Sequence, residues 1–247
     1  MQLLINHLTR MQPGYICAAG IELKTGLHVR PVVVGGLTTS LLTCNGGPIQ
    51  LGATVDLGPT KFVGKTPEIE DREFDPSLVQ VVEPVNRVKM IERCAAVAKT
   101  KLTEIFTTEI SKNGSTYALT AHAGLYSLGC YWAISPKLEL LSDFAGQTQR
   151  LKLAWREEDQ ELSVGVADIR FYEADHRSLQ RDRVAEAQAW LANSAYVLLS
   201  LGLSRPYRRS ENDPALHWLQ VNNIHFQRGA SAKDGEQDLR ISIRKTM

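Results

Sequence analysis

The chain has 247 residues, 43% of them hydrophobic and 22% charged, a composition typical of a globular protein with one large domain or two small ones. Its net charge of +1 creates no global attraction to nucleic acid or to an anionic membrane, so any anion site must come from local clustering. No run of the ~18 apolar residues that indicate a membrane span is present, and there is no signal-peptide pattern. We therefore expect a cytoplasmic protein with no membrane partner.

Residues 1–83 show the pattern of short strands separated by turns. Apolar runs at 15–23 and 27–34 flank a Lys-Thr-Gly turn, which predicts a hairpin. Glycine- and proline-rich breakers at 45–48 and 58–59 separate further strands at 49–57 and 60–63. Several short strands with few helices predict a first small β-barrel over residues 1–83.

The spacing of the apolar residues changes after Pro84. Apolar residues from Val88 to Phe106 recur mostly at spacings of three and four, which predicts an amphipathic helix over about 85–110. Asn113-Gly114 ends the pattern. We interpret residues 84–112 as a helix that connects two β-rich units.

Residues 113–247 repeat the strand pattern and predict a second small barrel. Extended runs at 129–134, 151–155 and 161–171 are followed by a helical pattern over 175–201, with Gly202 placed as its C-cap. Strands are predicted at 216–226 and, at the end of the chain, at 239–243. The fold class is thus β-rich α+β, with two small OB-like β-barrels joined by a helix and a second long helix near 175–201.

The densest cluster of binding-type side chains lies between Gly202 and Phe226. Arginines and aromatic rings hold phosphates and stack bases, and adjacent amides are unfavourable inside a strand unless they satisfy a bulge or a turn or face a ligand. The candidate ligand-binding residues here are Arg205, Tyr207, Arg208, Trp218, Asn222 and Asn223. The alternative interpretation is a solvated loop whose arginines pair with nearby acids, and amides that bond to backbone.

A second cluster lies in the first unit. The alternation of a strand places His28 and Arg30 on one face, and Arg10 lies further back. These three are further candidates for ligand binding, with simple solvent exposure as the alternative. Asp168 and Arg170 also share a face, and for them we predict a structural ion pair.

No pattern in the chain indicates a reaction. The phosphate-binding, dinucleotide-binding, zinc-protease and nucleophile-elbow motifs are all missing. His122 has no acid or nucleophile beside it, and three adjacent acids at 157–159 point in different directions in a turn. The four cysteines, Cys17, Cys44, Cys94 and Cys130, are widely spaced and predict free thiols. We expect no catalytic residue, no metal and no cofactor.

Three stretches of the chain resemble the dual OB-fold domain family of prokaryotic conflict and regulatory systems. They are NHLTRMQPGYICAAGIELKTGLHVRPV at 6–32, NGGPIQLGATVDLGP at 45–59, and LGLSRPY with HWLQVNNIHF at 201–207 and 217–226. The resemblance implies a nucleic-acid- or nucleotide-binding domain without catalytic residues. It points to Arg10, Gly26, His28, Arg30, Pro31, Arg205, Pro206, Trp218, Gln220 and Asn222 as functional positions.

The favoured function is non-catalytic binding of single-stranded nucleic acid or a nucleotide across a barrel face lined by arginine, histidine and aromatic side chains. Two alternatives stay open at this point. One is a nucleotide- or RNA-processing enzyme that uses His28 or His217 as acid or base. The other is a protein-interaction module of a larger defence or regulatory complex.

Overall fold

The computed structural model describes residues 1–142 and 149–226, which form two β-sheets with three α-helices between and beside them. The first sheet contains β1 (Gln2–Arg10), β2 (Tyr15–Glu22), β3 (His28–Val32), β4 (Leu37–Thr38), β5 (Thr54–Asp56), β6 (Thr60–Phe62), β7 (Asp71–Phe74) and β8 (Gln80–Glu83). The predicted hairpin at residues 24–26 is present: Glu22 N–H donates to Leu27 O, and Gly26 adopts the positive φ of 73° that the turn requires.

The first unit is a half-barrel rather than the closed barrel predicted. Its strand order is β6-β7-β3-β2-β1-β5-β8, with β4 paired to β2. Strands β1, β2 and β3 are antiparallel neighbours, β3 runs parallel to β7, and β1 runs antiparallel to β5. Since β5 pairs with β8 and β7 pairs with β6, the sheet is left open between β5 and β7.

Two helices, not one, follow the first sheet: α1 (Arg87–Val97) and α2 (Leu102–Phe106). The prediction of a continuous helix over 85–110 is wrong at residues 98–101. There Lys99 N–H donates to Cys130 O and Trp132 N–H donates to Lys99 O, so the chain bridges to the second sheet in extended form. Helix α1 buries Met90 and Cys94 against residues of both units, including Leu4 and Leu198.

The second sheet contains a closed five-stranded barrel. Its strands are β9 (Ser111–Asn113), β10 (Thr116–Thr120), β11 (Leu128–Ser142), β12 (Gln149–Glu157), β13 (Gln160–Val166), β14 (Tyr196–Leu203) and β15 (Leu216–His225). The path β13-β12-β11-β14-β15 closes through a parallel pair, Gly165–Gln220 and Val166–Val221. The β9–β10 hairpin extends the sheet beside β15.

The predicted helix over 175–201 is replaced by a shorter helix, α3 (Arg181–Ala192), and by strand β14. The run at 197–203 is buried on both faces. Val197, Leu199 and Leu201 face the barrel interior, while Leu198 packs with α1 and the first unit. A strand buried on both faces has no alternation, and its apolar run therefore resembles a helix continuation. Gly202 lies within β14 and is not a C-cap.

The two units share one strand order. The half-barrel runs β7-β3-β2-β1-β5, and the barrel runs β15-β13-β12-β11-β14. In both units the third strand is parallel to the last, and the first strand pairs with the second and with the fourth. The similar layout of the two halves, which the sequence suggested without a residue-level repeat, is thus a similarity of strand pairing. The residue boundaries of the predicted domains, at 83/84 and 112/113, stay a prediction.

The end of β1 is held against the barrel by backbone and amide hydrogen bonds. Leu8 N–H donates to Asn223 Oδ1 at 2.7 Å, and Asn223 Nδ2 donates to Leu8 O at 3.2 Å. Arg10 N–H donates to Ala167 O at 3.0 Å. These bonds fix one wall of a cleft between the units.

Candidate functional site

A cleft of about 540 Å³ lies between the half-barrel and the outer surface of the barrel. It is lined mainly by apolar side chains from β2, β3 and the segment 33–37, with polar groups from β15 and from the loop at 204–215. A largely apolar cavity with a few converging polar groups is the usual form of a ligand site. The predicted site residues that line it are Arg10, Arg30, Arg205, Tyr207 and Asn222.

Two of the arginines are joined through one carboxylate. Arg30 Nε donates to Asp71 Oδ1 at 2.6 Å, and Arg205 Nη2 donates to Asp71 Oδ2 at 2.5 Å. The Arg30 side chain is 6% exposed and that of Arg205 is 52% exposed. Asp71 opens β7, so the half-barrel supplies the acid that orients an arginine of the barrel loop.

Further acids lie behind these arginines. Glu68 Oε1 is 3.3 Å from Arg205 Nη1, and Glu70 accepts from Ser127 N–H at 2.7 Å and from Leu128 N–H at 3.1 Å. Burial raises the pKa of the Glu70 carboxyl, which these hydrogen bonds partly oppose. No Asp or Glu is among the described residues that line the cleft. Arg30 and Arg205 are therefore held in position by acids that are not part of the cleft lining.

Arg10 lies at the other side of the cleft. Its guanidinium carbon is 3.9 Å from the centre of the Tyr172 ring, and Nη1 donates to His176 O at 2.7 Å. Its Nε has no hydrogen-bond partner within the described part of the chain. A cation over an aromatic face in a half-buried setting is held in place, so Arg10 is preorganised as well.

Asn222 enters the cleft because β15 carries a bulge. Ser200 pairs with Asn223 and Leu201 with Val221, which leaves Asn222 as the extra residue. Gly202 makes room for it, since a Cβ at Gly202 would lie 2.3 Å from Asn222 Nδ2. Of the uses considered for the adjacent amides, a bulge is the one that the structure shows for Asn222; its role in ligand binding stays a prediction.

The loop at 204–215 is anchored at both ends. Ser204 N–H donates to Trp218 O at 2.9 Å, and Tyr207 and Leu216 exchange backbone hydrogen bonds of 3.1 and 3.2 Å. Tyr207 is 47% exposed, whereas Trp218 is 4% exposed. The Arg209 guanidinium lies 3.4 Å above the Trp218 ring. Trp218 therefore supports Arg209 and has little ring surface left for a ligand.

Basic side chains gather on the outer face of β12 beside this loop. Lys152 is buried, and its Nζ donates to Ser115 O. The pKa of Lys152 is lowered, first by desolvation and then by the nearby charges of Arg150 and Arg209. Arg150 is exposed. Glu139, opposite Lys152 on β11, offsets only part of this positive charge, and the patch is therefore favourable for an anion.

His28 does not lie on an open binding face. Its Nε2 is 3.4 Å from Asn6 Nδ2 and 3.7 Å from Cys130 Sγ, and its ring contacts that of His7 at 5.1 Å. Desolvation lowers the pKa of His28 to about 4. His28 thus belongs to a polar network between the units, which also contains Ser200 and His225.

The remaining candidates also lie outside the cleft lining. Asn223 is fully buried and both its amide atoms bond to the backbone of Leu8. Arg208 is exposed, and its Nη1 donates to Glu211 O at 3.3 Å. Asp168 and Arg170 form the predicted structural ion pair, at 2.6 Å.

A second cleft, near residues 101–110, contains the acids at 157–159. Glu157 Oε1 accepts from Leu102 N–H at 2.7 Å and so caps α2. Within the described ranges, no group of three or more histidine, cysteine, aspartate or glutamate side chains is placed to hold a metal ion. All four cysteines are free thiols, and no helix of the described part is long and apolar enough to cross a bilayer.

Four residues of the site were missed by sequence reasoning: Glu68, Asp71, Arg150 and Lys152. The acids lie after the last strand predicted for the first unit, at 60–63. Lys152 lies in the predicted strand at 151–155, and Arg150 directly precedes that strand. The alternation of Arg150 and Lys152 with buried leucines on β12 was the one available signal for a basic outer face.

In comparisons with known proteins, no family model and no curated sequence matches this chain. The resemblance to the dual OB-fold family therefore stays an expectation from the quoted stretches. The cleft and the adjacent basic patch are the features of the structure that bear on function.

Proposed function

We propose that this chain binds single-stranded nucleic acid on the outer face of the closed barrel and that both units are OB folds. The strand pairing supports the fold assignment. In each unit the first three strands form a meander, the last strand runs parallel to the third, and the fourth returns beside the first. In the barrel, α3 lies between the third and fourth strands, as expected of an OB fold.

OB folds bind their ligands on the face of the second and third strands and on the loop between the fourth and fifth strands. In this chain those elements are β12, β13 and the loop at 204–215. The observation that carries the proposal is that Arg150, Lys152 and Arg209 come together at this place, beside the exposed ring of Tyr207. Basic side chains neutralise phosphates and an aromatic ring stacks a base.

The small number of basic groups in the patch determines how tightly it is expected to bind a single strand. Each phosphate contact on a single strand contributes about 0.7 to the slope of log affinity against log salt. Three contacts would give a slope near −2, which corresponds to weak binding that is measurable only at low salt. The net charge of +1 agrees with a local site and not with a general nucleic-acid surface.

The test is fluorescence anisotropy with labelled thymidine oligonucleotides across a salt series that begins at about 50 mM. The double variant Arg150→Ala plus Arg209→Ala removes two contacts and is expected to reduce the salt slope by about 1.4. Arg183→Ala on α3, an exposed arginine outside the site, is the matched control and should leave the slope unchanged. Absence of binding at the lowest salt contradicts the proposal.

A second candidate function, protein interaction, is favoured by a different surface. Among the described residues, edge strand β8 pairs only with β5, and it exposes Val81 and Val82 at 51% and 49%; Val88, at the start of α1, is 68% exposed. Exposed apolar side chains on an unpaired strand edge are typical of partner-binding surfaces. Val81→Lys should abolish co-purification of a protein partner and leave oligonucleotide binding intact. If this variant still co-purifies with the partner, β8 is not the surface that binds it.

A further inference from the structure

We propose that the cleft between the two units binds a single guanine base, and that Arg205, together with Arg30, provides the specificity. The inference rests on the proposed nucleic-acid function and extends it, because the cleft opens at Tyr207 beside the basic patch. The base would come from a bound strand or from a free nucleotide, and both sources present the same chemistry to the cleft.

The charge balance of the cleft favours a base over a phosphate. Arg30 and Arg205 lie against Asp71, with Glu68 and Glu70 close behind them. These acids offset the positive charge, so the cleft has little net attraction for a dianion. In the outer patch one acid, Glu139, pairs across the sheet with Lys152, against the three basic groups Arg150, Lys152 and Arg209. The patch therefore keeps a net positive charge and is the better position for the phosphates.

The shape and lining also suit a flat ring. Apolar side chains including Ile16, Val32 and Leu37 form much of the wall. At its mouth the exposed ring of Tyr207 offers a stacking surface. A volume of about 540 Å³ lies within the range of small-ligand sites and is large enough for a nucleotide. A base would bury its faces against this wall and direct its polar edge toward the arginines.

Guanine is selected because the free groups of the cleft are chiefly arginine donors. Arg30 is nearly buried, yet its Nη2 has no hydrogen-bond partner among the described residues. A buried donor without a partner is costly. Arg205 is half-exposed, and its Nη1 and Nη2 each keep a second N–H beyond those that face Glu68 and Asp71. Guanine presents two adjacent acceptors, O6 and N7, to which arginine binds in a bidentate manner.

The opposite edge of guanine carries donors, and the cleft offers acceptors for them. Asn222 and Gln220 both line it through β15. Asn222 is placed with its Nδ2 3.1 Å from His7 Nδ1, which leaves its Oδ1 to accept. Adenine would place an amino donor where the guanine O6 lies and meet the arginine donors unfavourably.

The experiment compares three oligonucleotides that differ at one base: a thymidine nonamer, and the same nonamer with a central guanosine or a central adenosine. We expect the guanosine nonamer to bind about tenfold more tightly than the other two at about 50 mM salt. GMP and AMP, measured by calorimetry, distinguish the free nucleotide from the strand as the source of the base.

Arg205→Lys is the informative variant, because it keeps the charge opposite Asp71 but removes the bidentate fork. It should abolish the preference for guanosine and leave the affinity for the thymidine nonamer unchanged. Gln220→Ala, at a half-buried position, should reduce the preference without unfolding the chain. Arg183→Ala should alter neither quantity.

The outcomes separate the two proposals. Equal affinity for the three nonamers, together with no preference for GMP over AMP, overturns the guanine cleft and leaves strand binding standing. A preference for adenosine, or a guanosine preference that survives Arg205→Lys, also overturns it. Binding of GMP over AMP with no binding of any nonamer supports the cleft, identifies a free nucleotide as its ligand, and shows that the proposed strand-binding function is wrong.

Discussion

The two units share a strand order but use the last strand of that order differently. In the barrel, β15 closes the sheet by pairing with β13 and β14, so its inward side chains fill the core. In the half-barrel, the equivalent strand β7 has no bond to β5. The segment that leads into β7 instead places Glu68, Glu70 and Asp71 against the barrel. The half-barrel thus provides the back wall of the cleft that lies against the outer surface of the barrel.

The largest change in stability is expected from a substitution where the half-barrel contacts the barrel. Glu70 is buried and accepts from two backbone N–H groups and from the Ser127 hydroxyl. Glu70→Ala leaves these donors unpaired and should destabilise the protein by about 3 kcal/mol. Urea unfolding measures this change. Glu73→Ala, three residues further along the chain on β7 and half-exposed, should change the free energy of unfolding by no more than about 0.5 kcal/mol. Equal effects of the two variants would mean that the contact to residues 127 and 128 does not hold the units together.

A smaller effect is expected from the polar network between the units as the pH falls. Desolvation lowers the pKa of His225, which is 1% exposed, to about 3. Because its unfolded pKa is near 6.5, the unfolded chain binds the proton first, and stability is full above pH 6.5 and declines as the pH falls toward 3. At pH 5 the lowered pKa of this one histidine should reduce the free energy of unfolding by about 2 kcal/mol.

The measurement is urea unfolding at pH 7 and pH 5. His225→Asn keeps a polar group near Ser200, whose Oγ lies 2.8 Å from His225 Nε2, and should reduce the pH dependence. A pH dependence that is unchanged by this substitution would show that other groups, such as His7, His28 or the carboxylates, are responsible and not His225.

Two glycines allow the cleft wall to be compared with the outer face of the same barrel, where strand binding is proposed. Gly202→Ala would bring a methyl group to 2.3 Å from Asn222 Nδ2 and should cost about 1.5 kcal/mol. Gly165→Ala, on β13, meets no heavy atom within 4 Å and should be nearly neutral for stability. Differential scanning calorimetry of the two variants tests this contrast. If Gly165→Ala proves the more destabilising, Asn222 is not held where the cleft requires it.

Much of the fold could be predicted from residue patterns, and the failures have definite causes. Alternating strands at the surface and the turn at residues 24–26 are visible because local chemistry decides them. Strand β14 was predicted as helix because both of its faces are buried, one by the barrel core and one by the first unit. The prediction of a helix over 85–110 is wrong at Lys99, because the backbone of Lys99 forms hydrogen bonds with β11. These partners lie more than 30 residues away in sequence.

For the site, the sequence indicated the arginines but not what holds them. That Arg30 and Arg205 meet at Asp71 depends on how two distant units dock, which no local pattern shows. The same docking explains why His28 and Asn223, predicted for a ligand, lie in a buried network between the units. Side chains typical of binding are equally typical of a polar interface, and only burial distinguishes the two uses.

The central claim is that the outer face of the closed barrel binds single-stranded nucleic acid. Its most direct test is the anisotropy salt series with wild-type protein and the Arg150→Ala plus Arg209→Ala variant. The account predicts measurable binding of a thymidine oligonucleotide at about 50 mM salt and a slope reduced by about 1.4 in the variant. Binding with an unchanged slope, or no binding by the wild-type protein, would contradict it.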